Sequence, residues 1–364
     1  MRHFALVCVA VFIFYTGCSK RGKKEVSSVD SGERVLVIVN SNSSHSQAIG
    51  NYYVSRRRKA KICYISAPVN EEISRTDFNN LKAQVENFLT ANNLKEEIFY
   101  IVTTSDVPLK VASAGGSEDF ASVDSELALL FTSYNINGKV PNPYYNSNSR
   151  FNRTFNIYLV CRLTGYETDS DGDGIADDVK GLIDRGFSPV RHPRGLYVLD
   201  VDPAKDGGAY QMGNDWLRQA GTALVSSGFN TILDTTNTFL TYQNGVVGYS
   251  SWGSNDSSNT TAPYRPYNAW AAGAVAVTFV STNARSFKTG TSYGQCLLAD
   301  YVKEGVTGIA GHTYEPYLDA CCRPPILFDR YTKGFNLAES FYCAMPYLSW
   351  QTVVVGDPLC APYR

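Results

Sequence analysis

The chain reads as an α/β protein: a mostly parallel sheet with helices on both faces. Three observations predict this. Short β-branched runs alternate with longer segments of helical period from Arg34 onward. The runs are almost continuously apolar, as strands covered on both faces must be. The 364 residues are 44% hydrophobic and 13% aromatic, enough to build a sizeable core.

In chain order, strands are predicted at 34–40, 62–67, 98–104, 154–163, 195–201, 246–252, 274–281, 307–311 and 352–356. Helices are predicted at 46–58, 75–92, 122–132, 176–186, 214–228, 293–304 and 335–345. Asp77 and Asn80 stand near the start of the second, and Gly228 closes the fifth. The Asn- and Ser-rich stretches at 134–153 and 254–269 read as surface loops, and no composition break separates a second domain from residues 34–364.

Charge excludes one class of function. Thirty-three Lys and Arg nearly cancel 34 Asp and Glu, so there is no global basic field to hold nucleic acid. Charged residues make up 18%, below the usual ~25%. With Asn, Ser, Thr and Tyr abundant, such a surface suits an exported protein.

The N-terminus carries the address. Residues 1–17 read as a signal peptide: Arg2, an apolar run from Phe4 to Tyr15, then small residues before Cys18. That run falls short of the roughly 20 residues that span a bilayer. Tyr15-Thr16-Gly17-Cys18 resembles a bacterial lipobox, although Tyr15 replaces the usual Leu. The resemblance implies a lipid on Cys18 that ties the chain to a membrane, with Ser19 directing it to the outer membrane of a diderm bacterium. Residues 18–33 read as a flexible tether with Lys20, Arg21, Lys23 and Lys24 near the anchor. Cys63, Cys161, Cys296, Cys321, Cys322, Cys343 and Cys360 remain. Cys63 and Cys161 read as buried, Cys321 and Cys322 each have a possible partner in Cys343 or Cys360, and no CxxC pair suggests zinc.

Function in such sheets lies just past the strands' carboxyl ends. Those positions hold His45, Asp106, Asp200, Asp202, Trp252, Asn255, Asp256, Ser281, Arg285, His312 and Glu315. His45 and His312 are candidates to share one pocket, as metal ligands with Glu315, Asp106 or Asp256, or with His312 as base to Ser281. His45, Asp106, Trp252, Asn255 and Arg285 make a candidate binding set. Turn chemistry alone also favours Asn, Asp and Ser here. Asp357, in Gly-Asp-Pro, reads as a strand stop that bonds nearby amides. Tyr144, Tyr145, Tyr249, Trp252, Tyr264 and Tyr267 are candidates for a glycan-stacking surface.

The sharpest motif is Asp169-Ser-Asp171-Gly-Asp173-Gly-Ile-Ala-Asp177-Asp178, a calcium-type loop spanning 169–178. Alternating carboxylates converge when glycine permits the turn, so Asp169, Asp171, Asp173 and Asp177 are expected to hold a structural Ca²⁺. It looks like the loops of thrombospondin type 3 and dockerin repeats. The twelfth position, a bidentate Glu in an EF-hand, is Lys180, with Glu167 or Asp178 as possible helpers.

The strings TTSDVPLK (103–110), SVDSELALL (122–130), YLVCRLTG (158–165), WLRQA (216–220), TFVSTNARSF (278–287), GHTYEPYL (311–318) and 334–363 together resemble an uncharacterised family of exported bacterial proteins from genomes carrying exosortase. More distantly, VVGYSSWGS (246–254), AVAVTFVSTN (274–283) and VVVGDPL (353–359) resemble gingipain-type cysteine peptidases of caspase-like fold. In those peptidases one strand ends in a tyrosine and a His-Gly pair, and the next ends at the catalytic Cys. The resemblance implies a caspase-like, gingipain-like topology without the catalytic pair. Trp252 stands where the histidine belongs, and Ser281 or Thr282 where the cysteine does. An indole cannot take a proton from a hydroxyl, and a hydroxyl without a base is a poor nucleophile. The expected role is therefore non-catalytic: binding or scaffolding in envelope or extracellular-polymer assembly, with an envelope protein or polysaccharide as partner. A hydrolase built on Ser281, His312 and Asp256 or Glu315 is the alternative, and a carbohydrate-binding protein the second.

Overall fold

The computed structural model describes residues 32–112, 120–133, 138–166 and 168–364. Cys18, the signal peptide, most of the tether and Glu167 lie outside them. Elements are numbered in chain order.

Ten strands form one sheet: β1 (Val35–Asn40), β2 (Lys61–Ile65), β4 (Tyr100–Thr104), β8 (Leu159–Leu163), β9 (Leu196–Asp200), β10 (Thr231–Asp234), β11 (Asn244–Ser251), β12 (Ala269–Thr278), β13 (Gly308–His312) and β15 (Thr352–Gly356). Their order is β10-β9-β11-β12-β13-β15-β8-β4-β1-β2. β3 (Glu72–Ile73), β5 (Lys110–Val111) and β6 (Ala121–Ser122) form a small second sheet, and β7 (Val140–Pro141) pairs with β14 (Tyr347–Leu348). The α/β fold with a largely parallel sheet is thus the one the sequence predicts. β15 runs antiparallel to β13 and meets β8 where Val355 lies opposite Arg162.

The apolar runs explain the core. Every residue of β1, β4, β8, β13 and β15 is buried, because helices cover both faces. α1 (Ser44–Arg56), α4 (Asp177–Phe187) and α6 (Leu298–Glu304) pack together on one side; α5 (Gln211–Ser226), α7 (Pro324–Thr332) and α8 (Leu337–Ala344) pack on the other. Small residues set the approach: a Cβ on Gly50 of α1 would lie 2.4 Å from Val39 Cγ2. α2 (Arg75–Ala91) lies against β2 and is closed by a Ser74/Asp77 capping box, and α3 (Val123–Leu127) starts on Ser122.

Several elements differ from the sequence reading. The strand expected at 154–163 begins at Leu159, because Asn152 caps a short turn over Arg153–Phe155 that ends with Asn156 at φ 54°. β10 and α7 were not foreseen. β10 is a four-residue edge strand, and α7 opens on Pro324-Pro325, a pair that reads as a break but suits a first helical turn.

The carboxyl ends of both halves of the sheet come to one edge. Past β12, Phe287 N donates to Glu71 Oε1 (2.7 Å), and past β13, Tyr314 OH donates to Glu72 Oε2 (2.9 Å), both glutamates lying beyond β2. β15 leaves by the opposite edge. There Asp357, fully buried, accepts from Arg57 Nε (3.0 Å) and Nη2 (2.5 Å), Tyr53 OH (2.8 Å) and Leu359 N (3.1 Å). It is a buried ion pair as well as the expected strand stop.

Candidate functional site

Past β11, β12 and β13, a cleft of about 500 Å³ opens between Lys205, Tyr210, Trp252, Asn255, Phe279, Val280, Ser281, Glu315, Pro316, Tyr317, Leu318 and Cys321. Four residues expected from the sequence meet here: Trp252, Asn255, Ser281 and Glu315.

The indole of Trp252 forms the floor. It is 2% exposed, lies 5.1 Å from the Phe279 ring and 5.8 Å from Tyr210, and donates Nε1–H to Asn214 Oδ1 at 2.7 Å. Asn214 is held by its own Nδ2, which donates to Asp202 O and Asp206 Oδ1, both at 2.8 Å. Lys205 Nζ sits 5.3 Å over Tyr210 and 5.8 Å over Trp252, and Glu315 Oε1 accepts from Tyr317 N at 3.1 Å. The cleft thus offers aromatic faces, an ammonium and a carboxylate.

His312 lies behind this wall rather than in it. The ring is 1% exposed, with Nδ1 3.1 Å from the Val280 carbonyl, and burial pulls its pKa down to about 4. That bond leaves Nε2 as the unprotonated nitrogen, and Nε2 has no hydrogen-bond partner among the described residues. Ser281 makes no hydrogen bond to it. Asp256 does not line the cleft. It is buried, accepts from Ser258 N (2.8 Å) and Oγ (2.7 Å), and burial raises its pKa. The set Ser281, His312 and Asp256 is therefore not assembled as nucleophile, base and orienting acid.

Other expectations separate in space. His45 and Asp106 line a second cleft of about 480 Å³ with Asn42, Ser43, Ser44, Val69 and Lys288, so the two histidines do not share a pocket. His45 Nδ1 is 3.1 Å from Gly174 O, and Asp106 accepts from Ser43 Oγ at 2.6 Å. Arg285 staples its own loop, donating to Thr282 O (3.1 Å), Ser292 O (2.5 Å) and Gln295 O (3.3 Å). Tyr144, Tyr249 and Trp252 are buried and present no stacking surface.

The seven described cysteines are free and buried, and none pairs with another. Burial raises each thiol: Cys63, Cys322 and Cys360 are pushed up to about 12 and Cys343 to about 11. Cys321 touches the cleft, but it too is shifted upward and its Sγ faces Tyr317 O at 3.7 Å. No thiolate forms near neutral pH at such sites.

In the acidic loop, carboxylate oxygens of Asp169, Asp171 and Asp177 gather within 4.8 Å of one another. Asp169 accepts from Gly172 N and Gly174 N (2.8 Å each), with both glycines at positive φ (75° and 83°). Asp173 turns away to pair with Lys180, whose Nζ also lies 2.7 Å from Asp171 Oδ2. The convergent oxygens fit a hard cation; the ammonium from the twelfth position competes for one of the three carboxylates, that of Asp171.

Lys205, Tyr210, Asn214 and Tyr317 were missed. The first three follow β9, where the run of Asp200 and Asp202 marked the right edge, but nothing in sequence shows that α5 turns Asn214 toward an indole 38 positions later.

No family model matches the chain, and no curated protein does. Two solved structures are similar. One, described as "Structure of Protease", has 10% identity and a TM-score of 0.48 over 91% of this chain and 78% of its own. The other, the Arg-specific cysteine proteinase gingipain R, has 12% identity and a TM-score of 0.46 over 90% of this chain and 78% of its own. The α/β class rests on the strand order itself.

Proposed function

We propose that this chain is a non-hydrolytic binding protein that keeps a peptidase-like frame and uses the strand-end cleft for recognition. One observation carries the reading: Trp252, satisfied by Asn214 and wedged between Phe279 and Tyr210, fills the floor where a hydrolase of this kind needs a base. His312 supports it, since its Nδ1 is committed to a carbonyl and, among the described residues, no hydroxyl or thiol reaches Nε2. The cleft's exposed rings, Tyr210 and Tyr317, suit a polymer laid across it.

Lipid on Cys18 would hold the domain at the outer membrane on a short tether, and among the described residues no helix is long and apolar enough to cross a membrane. An envelope protein or polysaccharide is the partner such an address implies. The family from exosortase-carrying genomes fits this placement. Calcium on Asp169, Asp171 and Asp177 would be structural, joining β8 to α4.

The test is turnover of a broad peptide and ester panel by the purified lipid-free chain. No turnover is expected; hydrolysis lost in Ser281→Ala or His312→Gln overturns the reading.

A further inference from the structure

Away from the cleft, Tyr242 and Tyr267 stack on one another with centroids 5.3 Å apart and planes 14° from parallel. Their exposures are 69% and 36%. The Arg265 guanidinium lies 4.8 Å from the Tyr267 ring centre, and Arg265 Nε faces Glu304 Oε1 at 3.9 Å. Neither tyrosine hydroxyl has a partner among the described residues.

Two features separate this stack from incidental packing. Both tyrosines have left-handed backbone, φ 57° and 52°, a region the β-carbon disfavours, so the surrounding fold holds both rings where they stand against a backbone cost. The rings are also not needed to join their loops. Tyr242 N donates to Pro266 O (2.8 Å), Gln243 N to Asn268 Oδ1 (2.9 Å) and Ala269 N to Gln243 O (2.9 Å), so the main chain and the Asn268 side chain already do that. Asn268, 3% exposed, keeps an Nδ2 donor with no hydrogen-bond partner among the described residues.

We propose that the outer face of Tyr242, backed by Tyr267 and Arg265, is a stacking site for a pyranose ring of a neutral glycan. The electron-rich ring face attracts the weakly positive C–H groups on one side of a sugar ring. The tyrosine hydroxyls at the rim can meet sugar hydroxyls. The nearby Arg265 and Glu304 cancel, which leaves no net charge to select an ionic ligand. The site is distinct from the cleft and names the polymer class that the binding reading leaves open.

The experiment is affinity electrophoresis of the lipid-free chain through gels containing laminarin, hydroxyethylcellulose or glycogen. At least one polymer is expected to slow the protein twofold or more. Tyr242→Asn, which removes the ring and places a residue tolerant of positive φ, should abolish the retardation with an unchanged thermal midpoint, and Tyr242→Trp should keep it. Tyr64→Asn, at an exposed tyrosine of β2 on the far edge of the sheet, should leave it intact. Retardation by none of the polymers, or equal retardation of Tyr242→Asn, overturns the site. Retardation kept in Tyr242→Asn but lost in Lys205→Ala overturns the platform and spares the cleft reading.

Discussion

Gly213 and Trp252 are built for each other: a Cβ on Gly213 would stand 2.6 Å from the indole Cζ2 and 2.8 Å from Cη2. The neighbouring residue, Asn214, accepts the indole N–H hydrogen bond through its Oδ1. α5 therefore supplies both the space and the hydrogen bond that let a large apolar ring close the floor of the cleft.

Gly213→Ala should displace the indole and destabilise the protein by about 1–3 kcal/mol. Asn214→Leu should cost about 1–3 kcal/mol through an unpaired indole N–H. Urea unfolding reads the cost, and a red-shifted emission maximum reads the movement. An unchanged midpoint in both variants contradicts the fit.

The contribution of Asp200 to stability should fall as pH rises from about 4 to 7. Asp200 is fully buried at the end of β9, its Oδ2 accepts from Leu240 N (2.9 Å), and its Oδ1 has no hydrogen-bond partner among the described residues. Burial first, then Asp256, Asp234 and Asp202, raise its pKa to about 7. The unfolded chain gives up this proton near pH 4 while the folded chain keeps it, so the native state's advantage is complete below that and gone above about 7. Asp200→Asn should remove this part of the slope and gain about 2–4 kcal/mol at pH 8. Thermal midpoints of the two proteins between pH 5 and 8 decide it. His312 works in the opposite sense over about pH 4 to 6.5, where the unfolded chain binds the proton first, so measurements above 6.5 isolate Asp200.

Lys180→Glu should tighten calcium binding at least tenfold, because it removes the ammonium paired with Asp171 and Asp173 and puts a carboxylate at the twelfth position. Asp171→Ala should weaken it. Titration calorimetry compares the three; equal heats in parent and Asp171→Ala end the calcium proposal.

Arg57→Met should destabilise by about 3–5 kcal/mol, since it strands the Asp357 carboxylate where no water reaches. Arg57→Met with Asp357→Leu should recover most of the loss, as measured by urea midpoints.

The strands were legible because period-two and continuous apolar runs such as VLVIV and TVVV have few other homes. The edge that carries the cleft was legible too, from the polar residues crowding past Trp252 and Val280. What could not be read was direction in space. Ser281 and His312 each follow a strand at the same edge, yet the ring turns toward the Val280 carbonyl and away from the hydroxyl. His45 and His312 were separable only once the strand order placed β1 and β13 four positions apart in the sheet. Tyr242 escaped notice because a lone tyrosine in a polar loop carries no periodic signal.

The bonds from Tyr53 and Arg57 to Asp357 join residues 304 and 300 positions apart. The first helix waits for a carboxylate that the ribosome delivers some 300 residues later. A nascent chain lacking it would leave a guanidinium and a phenol without their partner in the interior, so the N-terminal half cannot complete its packing during synthesis. Such a chain stays incompletely packed until that carboxylate has emerged.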